Sequence, residues 1–140
     1  MSEVKAEGHA SLAQRARVLI VDDDTEILTF LSTLLELEGI EPLVATSAKA
    51  AVRMLSEVRH APPDLLLLDI AMPERDGLDL CRALKKDAAL SGIPVFVVSA
   101  RPGRDVAERA LAAGAEQFIR KPFENGELIA AIRDRVRRQL

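Results

Sequence analysis

Five short apolar runs alternate along the chain with segments whose apolar residues recur at helical spacing. This regular alternation favours a sheet built from repeated strand–helix units, with mostly parallel strands. The first, third and fourth runs lack a polar face, which predicts central strands covered by helices on both sides. The short second run is predicted to lie at an edge of the sheet. The predicted strands are Arg17–Asp22, Pro42–Ala45, Asp64–Asp69, Pro94–Ser99 and Gln117–Ile119.

The first two segments between these runs predict helices with an apolar face directed to the core. Gly39 predicts the end of the first helix, and Pro62-Pro63 closes the connection that leads into the third strand. The apolar positions at helical spacing are Ile27, Leu28, Leu31, Leu34 and Leu35 in the first helix, and Ala48, Ala51, Val52, Leu55 and Val58 in the second.

Length and composition fit one α/β domain. A chain of 140 residues with 49% hydrophobic content can bury one core but not two. The net charge of −3 and the absence of a long apolar run give no reason to expect nucleic-acid or membrane binding. The only cysteine, Cys81, excludes an intramolecular disulfide and favours a reducing compartment. With no signal-peptide core at its start, the chain is expected to be cytoplasmic, with a flexible arm at residues 1–16 and a domain over residues 17–140.

Aspartates stand where two of the predicted central strands end. Asp22 and Asp23 follow the first strand, and Asp69 closes the third. The carboxyl ends of neighbouring strands converge on the ligand crevice of an open parallel sheet, so these three side chains are expected to lie together. Clustered carboxylates repel one another unless a cation joins them, and Mg²⁺ is the economical choice because it takes oxygen ligands. The pattern indicates phosphoryl chemistry, although Asp22 and Asp23 could also be an ordinary anion pair at a helix start.

Four short motifs follow the predicted strands in a fixed order. They are Val21-Asp22-Asp23-Asp24, then Leu68-Asp69-Ile70-Ala71-Met72-Pro73 with Asp76-Gly77, then Val98-Ser99-Ala100, and finally Lys121-Pro122-Phe123. Together they resemble the receiver domain of two-component response regulators, over roughly Arg17 to Arg138. The resemblance implies a flavodoxin-like, doubly wound (βα)5 fold with a five-stranded parallel sheet of order 2-1-3-4-5.

The resemblance implies that Asp69 is the phosphoacceptor. This carboxylate would receive a phosphoryl group from a phosphohistidine on a sensor histidine kinase or a histidine phosphotransfer protein, and carboxylates do form such acyl phosphates. Mg²⁺ would be held by Asp22, Asp23, Asp69 and the backbone carbonyl of Ala71, with Asp23 the more direct ligand and Asp22 acting partly through water.

The resemblance also implies a cation and a pair of switch residues. Lys121 would pair with the phosphoryl group, and its peptide bond to Pro122 is expected to be cis; the ordinary alternative is a surface lysine. Ser99 would donate its hydroxyl to a phosphoryl oxygen once Asp69 is modified, although a serine at a strand end often only forms a turn. Phe118 stands where the family carries an aromatic switch residue, and the alternative is a plain core phenylalanine.

Two further positions are expected to tune the lifetime of the phosphorylated state. Ala71 lies two residues after the phosphoacceptor, and Arg101 lies two residues after the serine. In the family, the residues at these two positions influence the attack of water on the acyl phosphate. Neither side chain can act as a base, so slow self-dephosphorylation is expected, while a solvated Arg101 is the alternative. Pro73 and Gly77 are expected to be structural residues of the loop that follows the acceptor.

The sequence thus indicates a phosphorylation-activated signalling switch that stands alone and is not an enzyme, except in assisting its own phosphorylation and dephosphorylation. Its output would pass to a protein target through the fourth helix, fifth strand and fifth helix, and phosphorylation-dependent homodimerisation is left open.

The sequence also leaves room for three different functions. The first is an Mg²⁺-dependent phosphatase or phosphotransferase with an aspartyl phosphate. Such enzymes commonly carry a second carboxylate two residues after the nucleophile, where this chain has Ala71. The second is a phosphorylation-independent interaction module, which the full set of site residues disfavours. The third is a receiver fragment of a longer regulator, whose output domain would follow the basic tail Arg133–Arg138.

Overall fold

The described part of the chain contains one five-stranded sheet whose paired strands all run parallel. The computed structural model describes residues 15–70, 77–101, 103 and 105–139. The strands lie in the order β2-β1-β3-β4-β5, which confirms the predicted fold class and strand order. Their bounds are β1 (Arg17–Val21), β2 (Glu41–Ala45), β3 (Leu65–Asp69), β4 (Val95–Ser99) and β5 (Gln117–Arg120).

Helices cover both faces of this sheet. Buried side chains of α1 and α5 join one core cluster, whereas those of α2, α3 and α4 join the other. The helices are α1 (Thr25–Leu37), α2 (Ala48–Glu57), α3 (Gly77–Lys85), α4 (Asp105–Ala112) and α5 (Asn125–Gln139).

The central strands are apolar because both of their faces are covered. Every residue of β3 and β4 is buried. In β1, Leu19 and Val21 belong to one core cluster, whereas Val18 and Ile20 belong to the other, as expected for side chains that alternate across a strand. The edge position predicted for β2 is also confirmed.

The first two helices follow the predicted periodicity, with one exception. Leu28, Leu31 and Leu35 are buried in α1, and Gly39 follows that helix with a φ of +79°, in the left-handed region that glycine adopts readily. Val52 belongs to the apolar pattern of α2 but is 41% exposed. The neighbouring Ala51 is fully buried and takes the inward position at that turn.

Helix α5 lies on the sheet through a seam of Ile129, Ile132 and Val136, which are all buried. Two of its arginines form ion pairs within the same domain: Arg133 with Glu38 and Arg135 with Glu116. The basic end of the chain is therefore engaged, at least in part, by acidic groups of the domain itself.

Near the start of the described chain, Ala16 is buried, and its carbonyl accepts a hydrogen bond from the Glu41 N–H at 2.9 Å. Most of the predicted flexible arm, residues 1–14, lies outside the described residues. No helix in the described part of the chain is both long enough and apolar enough to cross a membrane.

Candidate functional site

The carboxyl ends of β1 and β3 bring three aspartates together. Val21 is paired with Leu68 in the sheet, so the aspartates that follow these two residues leave the neighbouring strands at the same level. Asp22 and Asp69 are buried, at 3% and 7% exposure, whereas Asp23 is exposed. One carboxylate oxygen from each lies within 4.8 Å of the others. The clustering that the sequence predicts is therefore present.

Lys121 reaches the aspartate cluster from the end of the edge strand β5. It follows β5 and extends past the end of β4, so that its Nζ lies 3.1 Å from Asp22 Oδ2 and 3.3 Å from Asp69 Oδ2. Its backbone N–H donates to the carbonyl of Ser99 at 3.0 Å, and its peptide bond to Pro122 is cis. The ammonium thus forms hydrogen bonds with carboxylates from two different strands.

Burial and charge act together on these groups. Burial raises the pKa of Asp22, and the charge of Asp69 adds to this, while hydrogen bonds from the Asp24 N–H and from Lys121 partly offset it. Burial alone would lower the pKa of Lys121, but its hydrogen bond to Asp22 and the charges of Asp69 and Asp22 raise the pKa overall. The lysine is therefore held as a cation.

The same carboxylates fit a small divalent cation. Mg²⁺ binds oxygen at about 2.0–2.1 Å, so two ligands on opposite sides of one ion lie roughly 4.2 Å apart. Oxygens within 4.8 Å of one another can reach one ion after a small shift, or with one of them acting through water. The three carboxylates and the Lys121 ammonium together carry net negative charge, which favours binding of a further cation.

Ser99 closes β4 beside the aspartates. It is fully buried, and its Oγ accepts a hydrogen bond from the Arg101 N–H at 3.0 Å. Val98, the residue before it, is paired with Asp69 on β3. Ala100, the next residue, is exposed and carries only a methyl side chain.

Phe118 lies on β5 and is partly buried against the core cluster that includes α4. The guanidinium carbon of Arg120 lies 5.1 Å from the centroid of its ring. The residue predicted to be an aromatic switch is therefore neither fully buried nor free of polar contacts.

Arg101 is hydrogen-bonded to the backbone of the neighbouring strand end. Its Nη2 donates to the carbonyl of Ile70, the residue after Asp69, at 3.3 Å. Arg101 is partly buried, and this hydrogen bond joins the ends of β3 and β4.

Arg120 is a residue that the sequence motifs do not single out. It donates to the carbonyl of Arg101 at 2.8 Å and to the carbonyl of Gly103 at 3.4 Å. Its position in the sequence does predict one of its contacts. Arg120 lies two residues after Phe118 on the same strand, and alternate residues of a strand lie on the same face, so the two side chains are neighbours.

Gly77 is the first residue of α3 and is packed against the backbone of the site. A Cβ atom at this position would lie 2.7 Å from Ile70 Cα and 3.0 Å from the Asp69 carbonyl oxygen. The expected structural role of glycine thus has a steric basis, since no positive φ is involved. Ala71 and Pro73 lie outside the described residues, so their roles remain predictions.

The chain is similar in sequence to known response regulators. Residues 18–133 match the family model of the response regulator receiver domain. The chain is 38% identical over 124 residues to the DNA-binding response regulator MtrA of Mycobacterium tuberculosis (strain H37Rv), covering 89% of this chain and 52% of that protein. It is also 38% identical over 120 residues to the heme response regulator HssR of Staphylococcus aureus (strain Newman), covering 86% and 51%. The chain spans about half the length of these relatives.

Solved structures show the same architecture. The receiver domain of Francisella response regulator 1452 superposes with a TM-score of 0.79 at 30% identity, covering 90% of this chain and all of that one. A response regulator receiver domain from Clostridium thermocellum gives a TM-score of 0.79 at 31% identity, with coverage of 89% and 96%. Together with the match over residues 18–133, these similarities show that the chain belongs to the response regulator receiver domain family.

Proposed function

We propose that this chain is a phosphorylation-controlled switch in which Asp69 accepts a phosphoryl group from a phosphohistidine. The proposal rests on the surroundings of the Asp69 carboxylate. It is buried at the carboxyl end of a central strand, with the Lys121 ammonium at 3.3 Å and two further aspartates beside it. A carboxylate nucleophile needs a compensating cation and close positioning to accept a phosphoryl group.

In the proposed step, an Asp69 carboxylate oxygen attacks the phosphorus of the phosphohistidine. The P–N bond breaks, its electron pair goes to the imidazole nitrogen, and that nitrogen takes up a proton from water. The product on this chain is an acyl phosphate. Lys121 stays protonated at the reacting group, because the neighbouring carboxylates raise its pKa, and it balances charge on the transferred phosphoryl oxygens.

Mg²⁺ is the cofactor that fits the proposal. Asp22, Asp23, Asp69 and the backbone carbonyl of Ala71 would hold it, and it would neutralise charge on the phosphoryl oxygens. The roles of the protein groups follow from their burial: Asp22 is fixed by Lys121 and by the Asp24 N–H at 2.9 Å, whereas the exposed Asp23 is open to a direct contact.

Ser99 and Phe118 are proposed to carry the signal away from Asp69. The Ser99 hydroxyl accepts from the Arg101 N–H and keeps its own proton to donate to a phosphoryl oxygen. Phe118 is partly buried next to α4 and would turn inward as the serine moves. The output surface would be the face formed by α4, β5 and α5, which binds a downstream protein or a second copy of the chain.

The proposed donor is a sensor histidine kinase or a histidine phosphotransfer protein, and the proposed location is the cytoplasm. MtrA is named a DNA-binding regulator, and this chain spans about half of its length. We propose that the receiver itself does not contact nucleic acid. If the chain is part of a longer regulator, DNA binding would belong to another domain.

The second candidate is a phosphatase or phosphotransferase that turns over an aspartyl phosphate. The same aspartates and Mg²⁺ site would serve it, but the position two residues after Asp69 is Ala71, which offers no second carboxylate. General acid–base assistance at that position is therefore absent from the sequence, and a stable phosphorylated protein is the better-supported outcome.

Incubation of the protein with acetyl phosphate and Mg²⁺, beside a panel of phosphate esters, tests the proposal. We expect one phosphoryl group to be added to the protein and no more phosphate to be released from the esters than in buffer. Sustained ester turnover would favour the enzyme, and neither labelling nor turnover would favour a phosphorylation-independent module.

A further inference from the structure

Arg120 connects the loop after β4 to the ring of Phe118. Its Nη1 and Nη2 donate to the carbonyls of Arg101 and Gly103 at 2.8 and 3.4 Å. Its guanidinium carbon lies 5.1 Å from the centroid of the Phe118 ring, within the range of a cation–π contact. We call these contacts of Arg120 with Arg101, Gly103 and Phe118 the Arg120 clasp.

The same loop is also bonded to the phosphoryl site. The Arg101 N–H donates to Ser99 Oγ at 3.0 Å, and the Arg101 side chain donates to the Ile70 carbonyl at 3.3 Å. A displacement of Ser99 toward a phosphoryl group on Asp69 would therefore act on the backbone of Arg101, whose carbonyl the clasp holds. The serine and the aromatic ring are thus linked through Arg101 and Arg120.

We infer that Arg120 is a positioning residue that stabilises the unphosphorylated arrangement of Arg101, Gly103 and Phe118. This inference rests on the proposed function, because the movement it opposes is the movement of Ser99 toward the phosphoryl group. Contacts made in one of two conformations shift the equilibrium toward that conformation. Arg120 is exposed, so its bonds are modest and bias the equilibrium without preventing the change.

Substitution of Arg120 should make phosphorylation faster. With acetyl phosphate and Mg²⁺, Arg120→Ala should be labelled about three- to tenfold faster than the parent, the factor expected for the loss of modest hydrogen bonds. Arg53→Ala is the matched control, because Arg53 is an exposed arginine on α2 and its loss changes the net charge equally. Arg120→Ala labelled at the rate of Arg53→Ala would overturn the inference.

Arg120→Lys separates geometry from charge. Lysine keeps the positive charge but lacks the planar fork that binds two carbonyls while it covers a ring. We therefore expect Arg120→Lys also to be labelled faster than the parent. A labelling rate equal to that of the parent would show that only the charge of residue 120 matters, and it would overturn the inference that the contacts of the Arg120 clasp hold the loop.

A Ser99→Ala background identifies the route of the effect. Without the serine hydroxyl, the phosphoryl group has no hold on the loop, so Arg120→Ala should then change the labelling rate less than about twofold, below the effect of one modest hydrogen bond. An unchanged effect in this background would mean that Arg120 acts on the donor or on Asp69 directly. That result would contradict the inference.

Amide hydrogen exchange tests the clasp without any phosphoryl transfer. In the unphosphorylated protein, the Arg101 amide should exchange faster in Arg120→Ala than in the parent or in Arg53→Ala, because its loop loses two bonds. Equal exchange in all three proteins would overturn the inference. Absence of labelling in the parent would defeat the proposed function instead, and the exchange measurement would still decide whether the clasp holds the loop.

Discussion

Asp22 and Asp69 are buried carboxylates that both bind the ammonium of Lys121, at 3.1 and 3.3 Å. Buried charges are costly unless they are paired and hydrogen-bonded, so this arrangement explains how two acids are kept in the interior of a small domain. Asp23 differs because it is exposed. Under the proposed function, Asp23 would exchange water for Mg²⁺ while Asp22 stays paired with Lys121, so the two adjacent aspartates would have separate tasks.

Asp23→Asn should weaken Mg²⁺ binding by about ten- to a hundredfold, since even outer-shell partners of a metal contribute on that scale. The measurement is a calorimetric titration of the unphosphorylated protein with Mg²⁺. Asp24→Asn is the matched control: it removes the same charge from the next residue, and asparagine keeps the N-cap of α1. Equal Mg²⁺ affinity in the parent and in Asp23→Asn would rule out Asp23 as a ligand.

The phosphorylated state should be long-lived because neither Ala71 nor Arg101 offers a base that could activate an attacking water. Arg101 also spans the ends of β3 and β4 through its bond to the Ile70 carbonyl. Ala71→Asn and Arg101→Glu should each speed the decay of phosphorylated protein several-fold in Mg²⁺ after donor removal. Arg53→Glu, a charge reversal on an exposed part of α2, should decay like the parent. If neither Ala71→Asn nor Arg101→Glu decays faster than the parent, these side chains do not set the lifetime of the phosphorylated state.

The helices that follow β1 and β3 begin directly at the site, and each start is fixed by a specific contact. The Asp24 side chain accepts hydrogen bonds from the backbone N–H groups of Glu26 and Ile27, at 2.9 and 3.4 Å, and so caps α1. Helix α3 begins at Gly77, where the chain passes close to the backbone of Asp69 and Ile70. The starts of both helices are therefore coupled to residues of the candidate site.

Gly77→Ala should lower the free energy of unfolding by about 1–3 kcal/mol, because a methyl group has to displace backbone atoms of β3 and its loop. Urea denaturation measures the change. Gly92→Ala is a matched control, since a Cβ atom there would meet nothing within 4 Å and no positive φ is required; we expect it to stay within about 0.5 kcal/mol of the parent. Equal effects of the two substitutions would contradict the close-packing explanation.

The connection between α3 and β4 is attached to the end of α2 by a two-pronged ion pair. Arg59 donates to both carboxylate oxygens of Asp87, at 2.9 and 3.0 Å. The hydrogen bond from Arg59 has the largest effect and lowers the pKa of Asp87. Burial opposes it, but the N–H groups of Ala89 and Leu90 and the charge of Arg59 lower the pKa further, so that it lies below its usual value. The ionised carboxylate therefore stabilises the folded state relative to the unfolded state.

This contribution to stability should be present above the unfolded-state pKa of aspartate, about 3.9, and lost as the pH falls through the lower folded-state pKa. The difference in free energy of unfolding between the parent and Asp87→Asn should consequently narrow as the pH is lowered below about 3.9. Denaturation curves at a series of pH values measure it. A difference that stays constant down to the lowest pH would contradict the assigned role of the pair.

The fold of the whole molecule was predictable because the apolar strands and the positions of the aspartates indicate the same parallel sheet. Apolar strands without a polar face had to be central, and β1, β3 and β4 are the three inner strands. The clustering of the three aspartates followed from the same topology, since parallel strands end at one edge.

The contacts of Arg120 and Gly77 could not be predicted in the same way. The hydrogen bonds of Arg120 and the close packing of Gly77 involve backbone atoms, which any residue type would provide, so no sequence motif marks these partners. The exposure of Val52 likewise depends on which side of α2 faces the sheet. Periodicity identifies a helix face, but its exact boundary is decided by tertiary packing.

The central claim is that Asp69 is the residue that receives the phosphoryl group. Its most direct test is intact-mass and peptide mass spectrometry of the parent and Asp69→Asn after incubation with a small phosphodonor and Mg²⁺. We expect one phosphoryl group on the parent, located at Asp69, and none on Asp69→Asn, because the amide lacks the nucleophilic carboxylate. Undiminished labelling of Asp69→Asn would contradict the account.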